Sequence, residues 1–395
     1  MKYLDLYQQL YHRDPDAIAF CPYRVSPLGA HIDHQFGKIN GLALNKGIHF
    51  AYSIKRHGIC EVYSVNFPEK RAQFHVSAVP EVKEGDWADH LRGATIKLGE
   101  KYKLRYGVAG VLEGELPIGG LSSSAAVIIV FLSALCKVND IHLGDWELIM
   151  MAKAAENEYC GVSCGKLDQS CEVLCKKNQL LYLDCMDDSY ELIPQNANMP
   201  PYQIAIFFSG LERSLQTSAY NARVDECKAT SYALKAYSGM PYDKIKDSRL
   251  RDVPPAVYYQ YGHLLPKNWK KRAEHFYTEL ARAEAGAEAW KNGDLTEYGR
   301  LVFESGYSSI HNYECGCPEL VKLYEIMRHT DGIYGGRFSG AGFKGCCMAL
   351  IDPDYAEEIE HKVEEEYLSE FPTLRDKYLF ALCESADGVL EEMQK

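Results

Sequence analysis

No apolar run in the 395-residue chain reaches the ~18 residues needed to cross a bilayer, so no membrane span is expected. The first ten residues, MKYLDLYQQL, lack the apolar segment of an export signal, and a cytoplasmic location is the expectation. There is no surplus of positive charge either. The 43 Lys and Arg residues are outnumbered by 55 Asp and Glu, leaving −12, which argues against a dedicated nucleic-acid binder. Internal repeats, heptads and low-complexity tracts are absent. Cysteine is plentiful, at fourteen, but the close pairs (Cys160 and Cys164, Cys171 and Cys175, Cys315 and Cys317) lack the two-residue gap usual at structural zinc, and no His pair follows them. Reduced, mostly buried thiols are expected.

What is present is ordinary globular composition, 47% apolar and 25% charged. The length suits two domains. The acidity is concentrated: from Ile351 to Lys395 fourteen acids face four cations, whereas from Met1 to Cys60 seven cations outnumber four acids. Short strands are expected at Ile48–Ile54, Glu61–Asn66, Leu180–Asp184, Tyr202–Ser209 and Cys346–Ile351. Helices are expected at Ser122–Cys136, Leu143–Cys160, Ser214–Ser238, His275–Asn292 and Asp354–Ser369. The stretch Gly239–Trp269 is the least regular. The mixture predicts an α+β fold.

The strongest local signal is Glu115-Leu-Pro-Ile-Gly-Gly-Leu-Ser-Ser-Ser-Ala-Ala126. A proline–glycine turn lets backbone N–H groups approach a ligand, and the helix that follows adds unsatisfied donors and positive dipole potential. The combination suits phosphate. It is neither a Walker A loop nor the glycine loop of protein kinases.

This segment resembles the phosphate loop of the GHMP kinase superfamily, and of its galactokinase branch in particular. Three further segments share the resemblance. Arg24-Val-Ser-Pro-Leu-Gly-Ala-His-Ile-Asp-His34 is similar to the galactokinase signature Arg-Val-Asn-Leu-Ile-Gly-Glu-His-Thr-Asp-Tyr. Ala155-Glu-Asn-Glu-Tyr-Cys-Gly-Val-Ser-Cys-Gly-Lys-Leu-Asp-Gln169 resembles the segment carrying the catalytic Asp, and Arg337-Phe-Ser-Gly-Ala-Gly-Phe-Lys-Gly-Cys346 resembles the third motif. The resemblance implies two α+β domains, about 1–190 and 191–395, with the active site in the cleft between them.

It also implies roles. Asp168 would accept the proton of the sugar hydroxyl, with Arg24 holding it ionised and polarising hydroxyl and phosphate. ATP would lie on Pro117, Gly119, Gly120, Leu121, Ser122, Ser123, Ser124 and Ala125, with Gly340, Ala341 and Gly342 of the third motif closing on that loop. Ser124 and Glu156 would ligate Mg2+, which favours oxygen donors and shares phosphate oxygens with ATP. Lys344, where a glycine is usual, adds a cation near phosphate or is an exposed lysine without a role. Sugar would contact His31, Asp33, Gly165 and Tyr220.

One departure bears on the substrate. The signature's Glu, which faces the C6 end of the sugar in galactokinases, is Ala30. Two unit charges in contact cost several kcal/mol at an effective ε of ~20, so an acid there would repel a sugar that carries its own C6 carboxylate. The variant signature resembles that of the plant galacturonokinase subgroup, implying phosphorylation of D-galacturonate at the anomeric hydroxyl. Arg213 and His34 are candidates to meet the carboxylate, and a helix-start surface position and a packing role explain them equally well. A kinase for D-galactose or for L-arabinose, and a non-catalytic sugar sensor, are the alternatives. No obligate protein partner is evident.

Overall fold

The computed structural model describes residues 2–211, 218–242 and 244–393. The chain is α+β, built on two sheets, as the sequence predicts. Helix α1 (Lys2–Tyr11) precedes strands β1 (Ala17–Val25), β2 (Lys38–Lys55), β3 (Ile59–Ser64) and β4 (Ala72–His75). Then come α2 (Asp89–Lys101), β5 (Gly107–Gly114), α3 (Ser123–Val138), α4 (Asp145–Ala154), α5 (Leu167–Leu174), β6 (Gln179–Asp184) and β7 (Tyr190–Pro194). The first sheet has the central order β1-β2-β5-β3-β4, with β6 on the far part of β2 and β7 on β6.

Strand β8 (Gln203–Phe208) starts the second sheet and α6 (Ser218–Ser238), α7 (Pro255–Tyr261), α8 (Lys267–Lys291), α9 (Leu295–Ser308) and α10 (Pro318–Met327) follow. Strands β9 (Ile333–Phe338) and β10 (Cys346–Ile351), helix α11 (Ala356–Glu370) and β11 (Leu379–Cys383) complete that half, in the sheet order β11-β8-β10-β9. The chain then returns: β12 (Ser385–Ala386) pairs with β2, and β13 (Leu390–Met393) pairs with β1.

Side-chain alternation explains how the halves join. Along β8, Ile204, Ile206 and Phe208 enter one core, while Ala205 and Phe207 enter the other. Strand β10 divides the same way, with Met348 and Leu350 opposite Cys347 and Ala349. A strand presents alternate residues to opposite faces, so the second sheet is a wall between two cores. Helix α3, apolar nearly all round, is correspondingly buried nearly all round. That fixes the phosphate-loop segment, which leads into α3, against the centre of the molecule.

Two local differences from the sequence expectations matter. The helix expected over Leu143–Cys160 ends at Ala154 and continues as a π-helical turn, Ala155–Cys160, closed by Gly161 at φ +80°. Helix α8 begins eight residues before the expected His275, within the stretch read as irregular.

Candidate active site

The β1–β2 ladder shifts register between Pro22 and Arg24. Such shifts re-aim side chains, and this one accompanies a buried arginine, 3% exposed. Arg24 Nε donates to Asp168 Oδ1 at 2.8 Å, and Nη1 donates to the Gly120 carbonyl at 3.0 Å. One guanidinium therefore ties the first turn of α5, where Asp168 sits, to the phosphate loop. A helix N-terminus favours the negative charge that this pairing requires.

Glycine is required where that loop meets the one between β9 and β10. Gly120 has φ +88°, and a Cβ on it would lie 2.6 Å from Cys346 Sγ. A Cβ on Gly340, at φ +69°, would lie 2.8 Å from the Gly120 Cα. The Ser339 hydroxyl donates to the Gly120 carbonyl at 2.7 Å. The two loops are thus packed backbone to backbone. Ser122, also left-handed at φ +64°, precedes α3, and the free N–H groups of that helix's first turn face the end of the loop. Ser124 Oγ donates to Glu156 Oε1 at 2.6 Å, and Gln169 Nε2 donates to Glu156 Oε2 at 2.6 Å. A hydroxyl and a carboxylate held together beside a phosphate-type loop are a suitable hard-oxygen pair for Mg2+.

These groups line one cavity of about 300 Å³. Arg24, Asp168, Gly120, Ser122, Ser124, Glu156 and Gly340 share its wall with all five residues expected at the sugar: Ala30, His31, Asp33, Gly165 and Tyr220. Of the remaining residues expected at ATP, Gly119 packs on Gly345, Gly342 packs on Cys315, Leu121 and Ala125 are buried in the protein, and Pro117 is exposed. Pro117, Gly119, Leu121, Ser123, Ala125 and Gly342 lie off the cavity wall. Lys344 is exposed and stands on the rim beside Ala341. Arg213 lies outside the described residues.

At the sugar end, Asp33 Oδ2 accepts from the Leu167 N–H at 3.1 Å. A Cβ on Gly165 would fall 2.1 Å from the same oxygen. Burial and then the charge of Asp168 push the Asp33 carboxyl above its usual range, against the Leu167 and His34 N–H groups and Lys153. His31, at φ +60°, stacks on Tyr313 with ring centroids 4.4 Å apart. Burial and then Arg337 hold it neutral. His34 faces away from this cavity. It bonds Tyr313 and Gln35, and burial, with Lys228 and Arg249, lowers it to about 3.

Ala30 is held through its backbone by α8. Its N–H donates to Glu279 Oε1 at 3.2 Å, and its carbonyl accepts from His275 Nε2 at 2.9 Å. Burial opposes the charge on Glu279, yet Arg282, His275, Arg337 and the Ser305 hydroxyl hold that carboxyl at about 2. Glu279 is fully buried and lies off the cavity wall. Sequence reasoning did not single out Tyr313, His275, Glu279 or Arg337. Arg337 opens the third glycine-rich segment, and His275 and Glu279 are polar residues four apart on one helix face, which is the signal available for them. Glu172, one turn beyond Asp168, was also unmarked. Burial and then Asp168 push its carboxyl well up, against Arg24.

Two family models match the chain: "GHMP kinases N terminal domain" over residues 89–176 and "GHMP kinases C terminal" over residues 286–369. A galacturonokinase of Arabidopsis thaliana is 36% identical across 94% of this chain and 92% of its own. A galactokinase of Roseiflexus sp. (strain RS-1) is 30% identical across 97% and 95%. The structure of Lactococcus lactis galactokinase complexed with galactose superposes with a TM-score of 0.89 at 25% identity, covering 98% of both chains. Methanococcus jannaschii mevalonate kinase shares the fold, with a TM-score of 0.62 at 14% identity.

Proposed function

The chain belongs to the GHMP kinase family, among its galactokinase-like sugar kinases, and from that premise we propose that it transfers the γ-phosphoryl group of ATP to the anomeric hydroxyl of D-galacturonate. The observation that carries the substrate is Ala30. Its position on the cavity wall bears a methyl group, and the resemblance to galactokinases marks it as the one facing C6. The charges around it sum to +1: Arg337 on the cavity wall and Arg282 behind it against Glu279, with His275, pushed by burial to about 4, neutral at pH 7. A C6 carboxylate therefore meets a slightly positive background rather than a second acid. The identity to a galacturonokinase over 94% of the chain supports the same reading.

The residues then divide the work. Asp33, Gly165, His31 and Tyr220 orient the sugar so that its anomeric hydroxyl faces Asp168. Asp168 accepts the proton, and Arg24 fixes that carboxylate while its second nitrogen braces the phosphate loop through Gly120. Positioning and charge stabilisation supply most of the catalysis in phosphoryl transfer. Ser124 and Glu156 would hold Mg2+, which neutralises phosphate charge when bound. A cytoplasmic location fits a chain in which no described helix is long and apolar enough to cross a membrane.

The test is kcat/KM for D-galacturonate and D-galactose, followed by ADP release. A clear preference for galactose rejects the substrate assignment. Galactose is the second reading, favoured by the superposition on the galactose-complexed galactokinase.

A further inference from the structure

Behind the wall formed by Asp33, Cys164 and Gly165 lies a second cavity of about 160 Å³ that the proposed chemistry does not use. Its other side is basic. Lys153 from α4, Lys166 before α5, Lys228 from α6 and Arg249 from the turns after α6 all line it, and Asp33 is the one acid among its described lining residues. The lining charges are thus 4 − 1, or +3.

Their counter-charges lie mostly off the cavity: Asp247 and Asp252 act on Arg249, and Asp225 and Asp247 on Lys228, while Lys153 acts on Asp33 of the shared wall. Lys166 pairs with Asp188, a side chain 41% exposed. Lys228 reaches only to 4.0 Å from Asp225, which is 77% exposed. In both pairs the acid stands in solvent, which screens its charge, while the lysine is largely buried. Arg249 Nη1 donates to the carbonyls of Lys246 and Ser248, and its Nε is buried without a partner. Among the described residues Lys153 has no hydrogen-bond or ion-pair partner. Burial and then Arg249 depress the ammonium of Lys228, so the cations destabilise one another.

Cations converging from four segments on one partly open recess match an anion with oxygens in several directions. An arginine fork and lysine point charges both suit phosphate, and the volume is below that of ordinary nucleotide-sized pockets. We propose that this cavity binds the phosphate group of a small molecule, and that its occupancy acts on the sugar through the shared Asp33 wall. The second half rests on the sugar-site reading above; the first does not.

Calorimetric titration with inorganic phosphate, and separately with glycerol 3-phosphate, tests binding in the presence of saturating ADP and Mg2+, so that the phosphate loop is already filled. Saturable binding of either probe is expected. Binding of inorganic phosphate alone identifies the free ion, and binding of both identifies the phosphate group of an ester. The double variant Lys228→Gln/Arg249→Gln should weaken binding about tenfold or more, the loss of about 1.4 kcal/mol, with ADP affinity unchanged. No saturable binding up to about 10 mM, corresponding to roughly 3 kcal/mol, overturns the site, as does binding the variant leaves unaltered. Saturating phosphate should change the sugar KM of the wild type and not of the variant. An unchanged KM overturns the link to Asp33. Failure of every sugar to be phosphorylated rejects the kinase reading and leaves the calorimetric result standing.

Discussion

Ala30→Glu restores the acid that the galactokinase signature carries, and its effect can be worked from the site. The Ala30 position is on the cavity wall and 6% exposed. Its backbone is fixed on both sides by Glu279 and His275, so a new carboxylate cannot retreat by moving the main chain. At ~4 Å from a substrate carboxylate and an effective ε of ~20, repulsion is about 4 kcal/mol. The open side of the cavity admits water, and halving the figure gives a lower bound of ~2 kcal/mol, or roughly thirtyfold. The kcat/KM for D-galacturonate should therefore fall by about thirty to a thousandfold. D-galactose, whose C6 hydroxyl can donate to the new acid, should be unaffected or improved. Ala30→Gln separates charge from bulk: it has the same size and should affect the two sugars alike. Steady-state ADP release gives the ratios, and thermal melting with the KM for ATP checks folding. An equal loss for both sugars in Ala30→Glu, or a galacturonate-selective loss in Ala30→Gln, refutes the electrostatic argument.

Asp168→Asn keeps the shape and removes the proton acceptor. Turnover should fall by about 10²–10⁴ while ATP affinity, measured directly, stays near wild type; retained turnover would reject Asp168 as the acceptor. Gly165→Ala puts a Cβ 2.1 Å from Asp33 Oδ2, so it should raise the sugar KM strongly and leave the KM for ATP nearly unchanged. Glu172 has both carboxylate oxygens buried without partners, and its raised pKa means that folding favours its protonated form. That contribution is complete below the unfolded pKa and is lost as pH rises, so Glu172→Gln should raise the denaturant midpoint at pH 8 and do so less at pH 5. His275, lowered to about 4, has the opposite dependence: the unfolded state binds a proton first, and stability falls as pH drops from about 6.5 toward 4, by up to roughly 3 kcal/mol. His275→Gln should flatten that part of the pH–stability profile, and an unchanged profile would contradict the buried neutral ring.

What could be read from the chain was local. The turn Pro117–Gly120, the serines after it and the apolar periodicity of α3 lie within one continuous segment, and each carries its own geometric requirement. Strand β1 was hidden because Pro22 argues against a central strand; the structure accommodates it at a register shift. The early start of α8 was hidden by its polar, basic first turns. Tyr313, His275 and Glu279 escaped because nothing near them in sequence shows that they pack under Ala30 and His31. Their role exists only after α8 and the segment following α9 fold against the signature loop. The contact of Gly120 with Gly340 was legible as two glycine motifs, and the approach too close for any Cβ exists only once the two loops are folded together.

The same distinction governs the charge. A total of −12 is unfavourable on its face for a protein proposed to hold ATP and an acidic sugar together. Yet no residue of α11, the most acidic helix, lines either cavity, and salt screens exposed charges beyond ~8 Å. On the main cavity wall Arg24, Arg337 and Lys344 balance Asp33, Glu156 and Asp168, three against three. An acid at position 30 would tip that balance to −1 at the place where the proposed substrate brings its own carboxylate. The adjoining cavity, at +3, adds positive potential from behind Asp33. Local charge is therefore balanced on the sugar side of the Asp33 wall and positive on the other, while the surface helix carries the excess that sets the net value. Under this argument, neutralising acids of α11 should change solubility and leave the ratio of galacturonate to galactose turnover unmoved, whereas one acid at position 30 should invert it.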